Sequence, residues 1–233
     1  MKKAFTLAEV LITLGIIGIV AAMTLPTVLS SYKKKEVPVR LKKFSSTIQN
    51  ALNLATTDYG EMRYWNFGDF NYLNSPEQID NFVMTYLAPY LSELKSFSSN
   101  SPSALRYITL LYPEGYSNRM PVFIFKDGGC FGVIFGGIDE DLKAGNIQFR
   151  YDYNCLAKPN EPNKDQFSFI IRWENDVAGS NKVSRFKAGN YDTISLKTRE
   201  ELLQYCIDNV DTLGTCTGLI EMDGWEIKKD YPW

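Results

Sequence analysis

From Phe5 to Leu29 the chain is almost uniformly apolar, and Glu9 is its one charge. A run of about 25 residues makes a helix of about 37 Å, longer than the roughly 30 Å hydrocarbon core of a bilayer. From Val37 onward the apolar positions thin to a stripe: Val37, Leu41, Phe44, Ile48, Leu52, Ala55 and Tyr59, spaced by three or four. That is one face of an amphipathic helix, with Arg40, Lys42, Lys43, Gln49 and Asn53 on the other. No strong stop signal separates the two stretches. The pattern predicts one long helix to Tyr59, ended by Gly60, with Pro38 expected to bend or break it locally. Gly15, Gly18 and Pro26 are tolerated in membrane helices, where they allow close approach or a kink.

Beyond Gly60 the pattern shortens. Residues 61–80 read as a loop whose aromatics, Tyr64, Trp65, Phe67, Phe70 and Tyr72, are expected to be core or subunit contact. Ile79–Leu94 reads as a helix interrupted at Pro89, with Ser75-Pro76-Glu77 as its start. Ser96–Ser103 reads as a loop. Pro121–Phe125 and Cys130–Phe135, joined by Lys126-Asp127-Gly128-Gly129, predict a β-hairpin. Ile147–Tyr153 and Phe167–Trp173 are further strands, with Asn154–Asp165 as a loop. Thr198–Asn209 is a short helix, and the remainder to Trp233 a strand or loop. A helical first part followed by consecutive strands makes the fold class α+β.

A lone carboxylate within a membrane-length segment costs a few kcal/mol at the bilayer centre and less near its edge. A segment that only targets or anchors has no use for it, so Glu9 needs a partner. Thr6-x-x-Glu9 has capping-box spacing and could satisfy free N–H groups at the helix start. An assembly partner is the other reading. The apolar core also exceeds that of an ordinary signal peptide, although Ala21-Ala22-Met23 imitates a cleavage site. Lys2 and Lys3 hold the N-terminus in the cytoplasm, and Lys33, Lys34 and Lys35 on the far side argue against that orientation.

Composition narrows the chemistry. The 233 residues are 45% hydrophobic and 22% charged, ordinary for a globular domain behind such a helix. With a net charge of −2 there is no broad electrostatic footprint for nucleic acid. The chain has no histidine, which removes Ser-His-Asp and Cys-His catalysis and His-based zinc motifs. Four cysteines at long spacings behind an export-like segment point to two disulfides in an oxidising compartment; four buried thiols are the alternative. Cys130 on a hairpin strand and Cys155 in a loop after another strand make one expected pair. Asp139-Glu140-Asp141 reads as a solvated turn, and the glycines between Gly128 and Gly137 as turns rather than a phosphate loop.

The segment Lys2-Lys3-Ala4-Phe5-Thr6-Leu7-Ala8-Glu9-Val10-Leu11-Ile12 resembles the N-terminus of type IV pilins and type II secretion pseudopilins. The resemblance implies cleavage of a leader, residues 1–4, between Ala4 and Phe5 by a prepilin peptidase, then N-methylation of Phe5. It implies that Glu9, the fifth mature residue, faces the N-terminal amine of a neighbouring subunit, and that Pro26 is the family's helix proline. Ala4 departs from the usual glycine but is still small. Cys206 and Cys216 resemble the C-terminal disulfide loop of type IV pilins, worth roughly 2.5–3 kcal/mol by loop closure. Asp152-x-Asn154 with Asp165-x-Phe167 resembles a pseudopilin loop signature, with Cys155 where glycine is usual. Calcium held by Asp152, Asn154 and Asp165 is one reading of that loop. Asx-type turns without metal are the favoured one, so no cofactor is expected.

The resemblance implies a pilin-like fold: a long N-terminal helix packed on an antiparallel sheet. Residues 5–29 form the membrane and assembly segment, 30–59 its amphipathic continuation and 60–233 the head. It implies storage in the bacterial inner membrane with the head exported, then incorporation into a type IV pilus-like or type II secretion filament. Expected partners are copies of itself, other pilins, the peptidase and an inner-membrane assembly platform. The chain is expected to carry no reaction of its own. A minor pilin acting as tip adhesin or uptake receptor and a membrane-anchored exported enzyme are the alternatives.

Overall fold

A computed structural model describes residues 6–69, 74–92, 94–97, 121–138, 144–155, 157, 160–175, 181–183 and 185–233. Helix α1 runs from Leu7 to Tyr59, 53 residues without interruption, and Gly60 closes it at φ 79°. A left-handed φ is open to glycine at no Cβ penalty, which is why the helix stops there. Pro26 and Pro38 both lie inside the helix. Of the bend or break expected at Pro38, no break occurs and the helix is continuous, as the long pattern predicts: the ring is buried on the head side, where tertiary packing outweighs one missing hydrogen bond.

The predicted stripe is the contact with the head. Val37, Leu41, Phe44, Ile48, Leu52 and Ala55 are buried, while Tyr59 at the end remains half exposed. The partner is a seven-stranded antiparallel sheet in the order β1 (Lys95–Phe97), β2 (Val122–Ile124), β3 (Cys130–Gly136), β4 (Ala144–Asp152), β5 (Gln166–Asn175) and β6 (Asn181–Val183). The short β7 (Lys187–Ala188) also pairs with β5. Register sets Phe131 against Tyr151 and Phe149 against Phe169. Strand alternation therefore puts these four rings on one face. Phe44 stacks on Tyr151 at 4.1 Å and meets Phe131 at 5.8 Å and Phe169 at 5.0 Å.

Helix α2 (Pro76–Tyr86) closes one end of the sheet. Ser75 caps it, accepting from Gln78 N–H, and Pro76 enters its first turn, where a missing N–H costs nothing. Trp65 stacks on Tyr86 at 4.5 Å, and Phe67 stacks on Phe82 and Trp173, so these two aromatics of the 61–80 stretch are core. Tyr64 is exposed, and Phe70 and Tyr72 lie outside the described residues. The helix expected as far as Leu94 ends at Tyr86, followed by a 3-10 turn at Ala88–Tyr90, and Lys95–Phe97 is a strand. Beyond Phe97 the predicted Ser96–Ser103 loop falls outside the described residues, as does Asp139-Glu140-Asp141.

In the C-terminal part α3 (Arg199–Asp208) packs on α4 (Thr217–Met222), which lies against β5 and β7 and is a helix where a strand or loop was expected. Gly214 has φ 82°, and a Cβ there would meet Ser168 Cβ on β5 at 2.2 Å, so the chain passes as close to the sheet as backbone can. Arg199 then ties the end down. It donates two bonds to Asp223, at 2.6 and 2.9 Å, and two to Asp230, both at 2.8 Å. The whole is an α+β, pilin-like architecture with a disulfide between Cys206 and Cys216 near its end.

The packing makes Phe44 the residue on which helix and sheet meet. Phe44→Ala should cost about 3–5 kcal/mol of head stability. Denaturant unfolding of the full chain in detergent, followed by tryptophan fluorescence, measures it; a loss below about 1 kcal/mol would mean that the stripe does not carry the contact.

Candidate functional site

Among the described residues, no other element covers the first half of α1. Every side chain from Thr6 to Leu29 is exposed, with Leu7 at 80%, Met23 at 74% and Ile12 at 62%. It is long and apolar enough to cross a membrane. Contiguous apolar surface of that extent on a soluble protein marks a membrane or protein contact.

At its start Thr6 and Glu9 form a reciprocal capping box. Glu9 N–H donates to Thr6 Oγ1 at 3.3 Å, and Glu9 Oε2 accepts from Thr6 N–H at 2.9 Å and from Thr6 Oγ1 at 2.8 Å. Helix α3 begins with the same device, Thr198 and Glu201. Capping alone therefore accounts for Glu9 within one isolated subunit. Among the described residues, the Glu9 side chain bonds to Thr6 alone. Ala4 and Phe5 lie outside the described residues. Pro26 lies within the exposed half of the helix.

The second cluster is in the head. A disulfide joins Cys130 on β3 to Cys155 just after β4, with Cα atoms 5.4 Å apart. Asp152 and Asp165 are both buried beside it. Asp152 Oδ1 accepts from the N–H groups of Asn154 and Cys155 at 3.0 and 2.6 Å, and its Oδ2 accepts from Gln166 Nε2 at 3.4 Å. Asp165 accepts from the N–H groups of Asn160 and Glu161, each at 2.6 Å. Asp152 thus makes an Asx-type turn, with Cys155 at positive φ, whereas Asp165 reaches back to N–H groups four and five residues before it and braces the loop in which Asn160 sits at positive φ. Calcium takes about six to eight oxygens. The described residues offer two carboxylates already accepting N–H bonds, and the buried Asn154 Oδ1, which has no hydrogen-bond partner among them.

Asn163 joins this loop to the C-terminal disulfide. It is fully buried at φ 62°, and its Nδ2 donates to the carbonyls of Val210 and Thr212, both at 2.8 Å. Its Oδ1 accepts from Cys216 N–H at 3.1 Å, and its carbonyl accepts from Tyr231 Oη at 2.7 Å. One residue thus positions both parts: its side chain holds the Cys206–Cys216 loop and its carbonyl holds the tail. Sequence reading missed Asn163: a single asparagine in a polar loop carries no periodic signal. Its one clue is a run of turn-forming Asn and Asp residues.

Two family models match the chain. Residues 1–25 match the prokaryotic N-terminal methylation motif, which defines a pilin-like or pseudopilin protein. Residues 27–233 match a family of unknown function, DUF6613, and the chain belongs to that family. No curated protein and no solved structure matches it. The prepilin-type motif and the apolar helix fit a pilin anchored in the inner membrane, processed by a prepilin peptidase and assembled with other pilins.

Burial, together with the charge of Asp165, pushes Asp152 up to about 7, against the pull of its backbone hydrogen bonds. A carboxyl whose folded pKa lies above its unfolded one favours folding when protonated. Its contribution is present near pH 4 and is lost as pH rises through about 7. The head's melting midpoint should therefore fall between pH 5 and about 7.5. Asp152→Asn, which keeps an acceptor for the two N–H groups, should flatten that slope. Millimolar calcium should leave the midpoint unchanged above pH 7; a clear rise would make the loop a metal site instead.

Proposed function

We propose that this chain is a structural subunit of a type II secretion pseudopilus or type IV pilus-like filament, assembled from the inner membrane through α1. The observation that carries the reading is a prepilin-type motif at residues 1–25 continuous with a helix whose apolar first half is wholly uncovered. Lipid covers that half while the subunit is stored. Equivalent helices of neighbours cover it in the filament. Cleavage between Ala4 and Phe5 and methylation of Phe5 prepare the end of the helix for that transfer.

Glu9 has separate partners in the two states. In the stored subunit it caps its own helix through Thr6. In the filament it faces the charged Phe5 amine of a neighbour, so that two charges costly to bury alone enter the low-dielectric core as a pair. The pair also fixes the axial register between helices. The subunit's work is mechanical: polymerisation moves or secretes, and the energy comes from a separate ATPase. A minor, tip-located subunit is distinguished from a major one by its abundance in the filament.

Glu9→Ala should insert and be processed normally, because it removes a charge from an apolar segment. Its recovery in sheared filaments should fall about tenfold or more, the scale of breaking a buried ion pair. Glu9→Gln should fail similarly, since it keeps shape but not charge. If Gln incorporates like wild type, capping is the residue's whole role, because glutamine is accepted in a capping box.

A further inference from the structure

Lys33, Lys34 and Lys35 have no part in the assembly reading. They also stand on the side of the apolar segment where basic residues are usually sparse. Along α1 they lie about 6–9 Å beyond Leu29, at about 1.5 Å per residue. That is the headgroup layer when residues up to Leu29 fill the hydrocarbon core. Among the described residues none of the three forms an ion pair, whereas Arg40 and Lys43 further along the helix are both matched. Arg40 pairs with Glu36 at 2.9 Å, and Lys43 with Asp127 at 2.6 Å. Asp165, which feels the charge of Lys33, is buried and already accepts two backbone N–H bonds.

Two aromatic residues flank the triplet. Tyr32 is 62% exposed, and the Trp233 ring centre lies 5.9 Å from Lys34 Nζ. Trp233 is held there by the buried Tyr231, whose hydroxyl donates to the Asn163 carbonyl. The fold thus brings a tryptophan from the far end of the sequence to the edge of the membrane segment. Tyr and Trp rings at headgroup level, with lysine ammonium groups reaching for phosphate, are the residue set of a membrane–water interface.

We propose that Tyr32, Lys33, Lys34, Lys35 and Trp233 form a docking surface for anionic phospholipid headgroups, which seats the head against the exported leaflet while the subunit is stored. The proposal rests on the membrane-anchored reading above. It gives the triplet a use on that side of the membrane: the lysines hold the head at a defined height, and extraction into the filament breaks the contact.

The test uses the full chain reconstituted in vesicles of phosphatidylcholine, with or without phosphatidylglycerol. Lipids spin-labelled at the headgroup quench Trp233, and Trp233→Phe supplies the background from the other tryptophans. Vesicle flotation reports insertion. Quenching of Trp233 should rise with phosphatidylglycerol and fall back at high salt. Combining Lys33→Gln, Lys34→Gln and Lys35→Gln should lower the docked-to-undocked ratio roughly a hundredfold while the chain still floats. Equal quenching of wild type in both lipids would overturn the proposal without touching the anchor. So would a triple variant that keeps the lipid response but drops out of filaments, which would assign the lysines to a neighbouring subunit. A chain that fails to float would overturn the anchored reading as well.

Discussion

The head cannot cover the first half of its own helix, and the rest of the molecule follows from that. Burial on α1 begins at Val37; everything from Thr6 to Leu29 faces outward. Hydrophobic driving force scales with the apolar area removed from water, so this surface requires lipid or other helices around it. Because α1 is continuous across Pro26 and Pro38, the part that needs a foreign environment is rigidly joined to the part that forms the core. A displacement of the apolar half is therefore passed to the sheet through Phe44 and its ring of aromatic neighbours.

A head carried on such a helix needs its outlying loops tied down, and the devices are concentrated where secondary structure is sparse. Cys130–Cys155 fastens the loop after β4 to β3, and Cys206–Cys216 closes the turn after α3. Asn163 links the two regions with five hydrogen bonds from one buried residue. Buried polar groups are costly unless satisfied, so a fully bonded asparagine specifies one arrangement of these loops. Arg199 does the same for the tail, with a bidentate geometry toward Asp223 that suits its planar guanidinium.

What could be read from the sequence was what is local. The helix is an apolar run of membrane length followed by a 3.6-residue stripe from Val37, and its end is marked by Gly60. The hairpin turns on Asp127-Gly128, with Gly128 at φ 89°. The N-terminal motif is a short ordered string, so Ala4, Phe5 and Glu9 could be singled out without a fold. The elements that escaped are short or polar. Lys95–Phe97, Asn181–Val183 and Lys187–Ala188 are strands of three residues or fewer, too brief to show alternation, and Thr217–Met222 is under two helical turns. Asn163, the Arg199 cluster and the meeting of Lys34 with Trp233 join residues far apart in the chain, and only the fold brings them together.

The central claim is that the N-terminus is made to be cut and used in assembly. Intact-mass and N-terminal peptide analysis of the native protein, taken from membranes and from sheared filaments, tests it most directly. The account predicts a mature chain that has lost Met1–Ala4 and begins with N-methylated Phe5 in both fractions. A mature chain beginning near Thr24, after Ala21-Ala22-Met23, would make the segment an ordinary signal peptide and contradict the account.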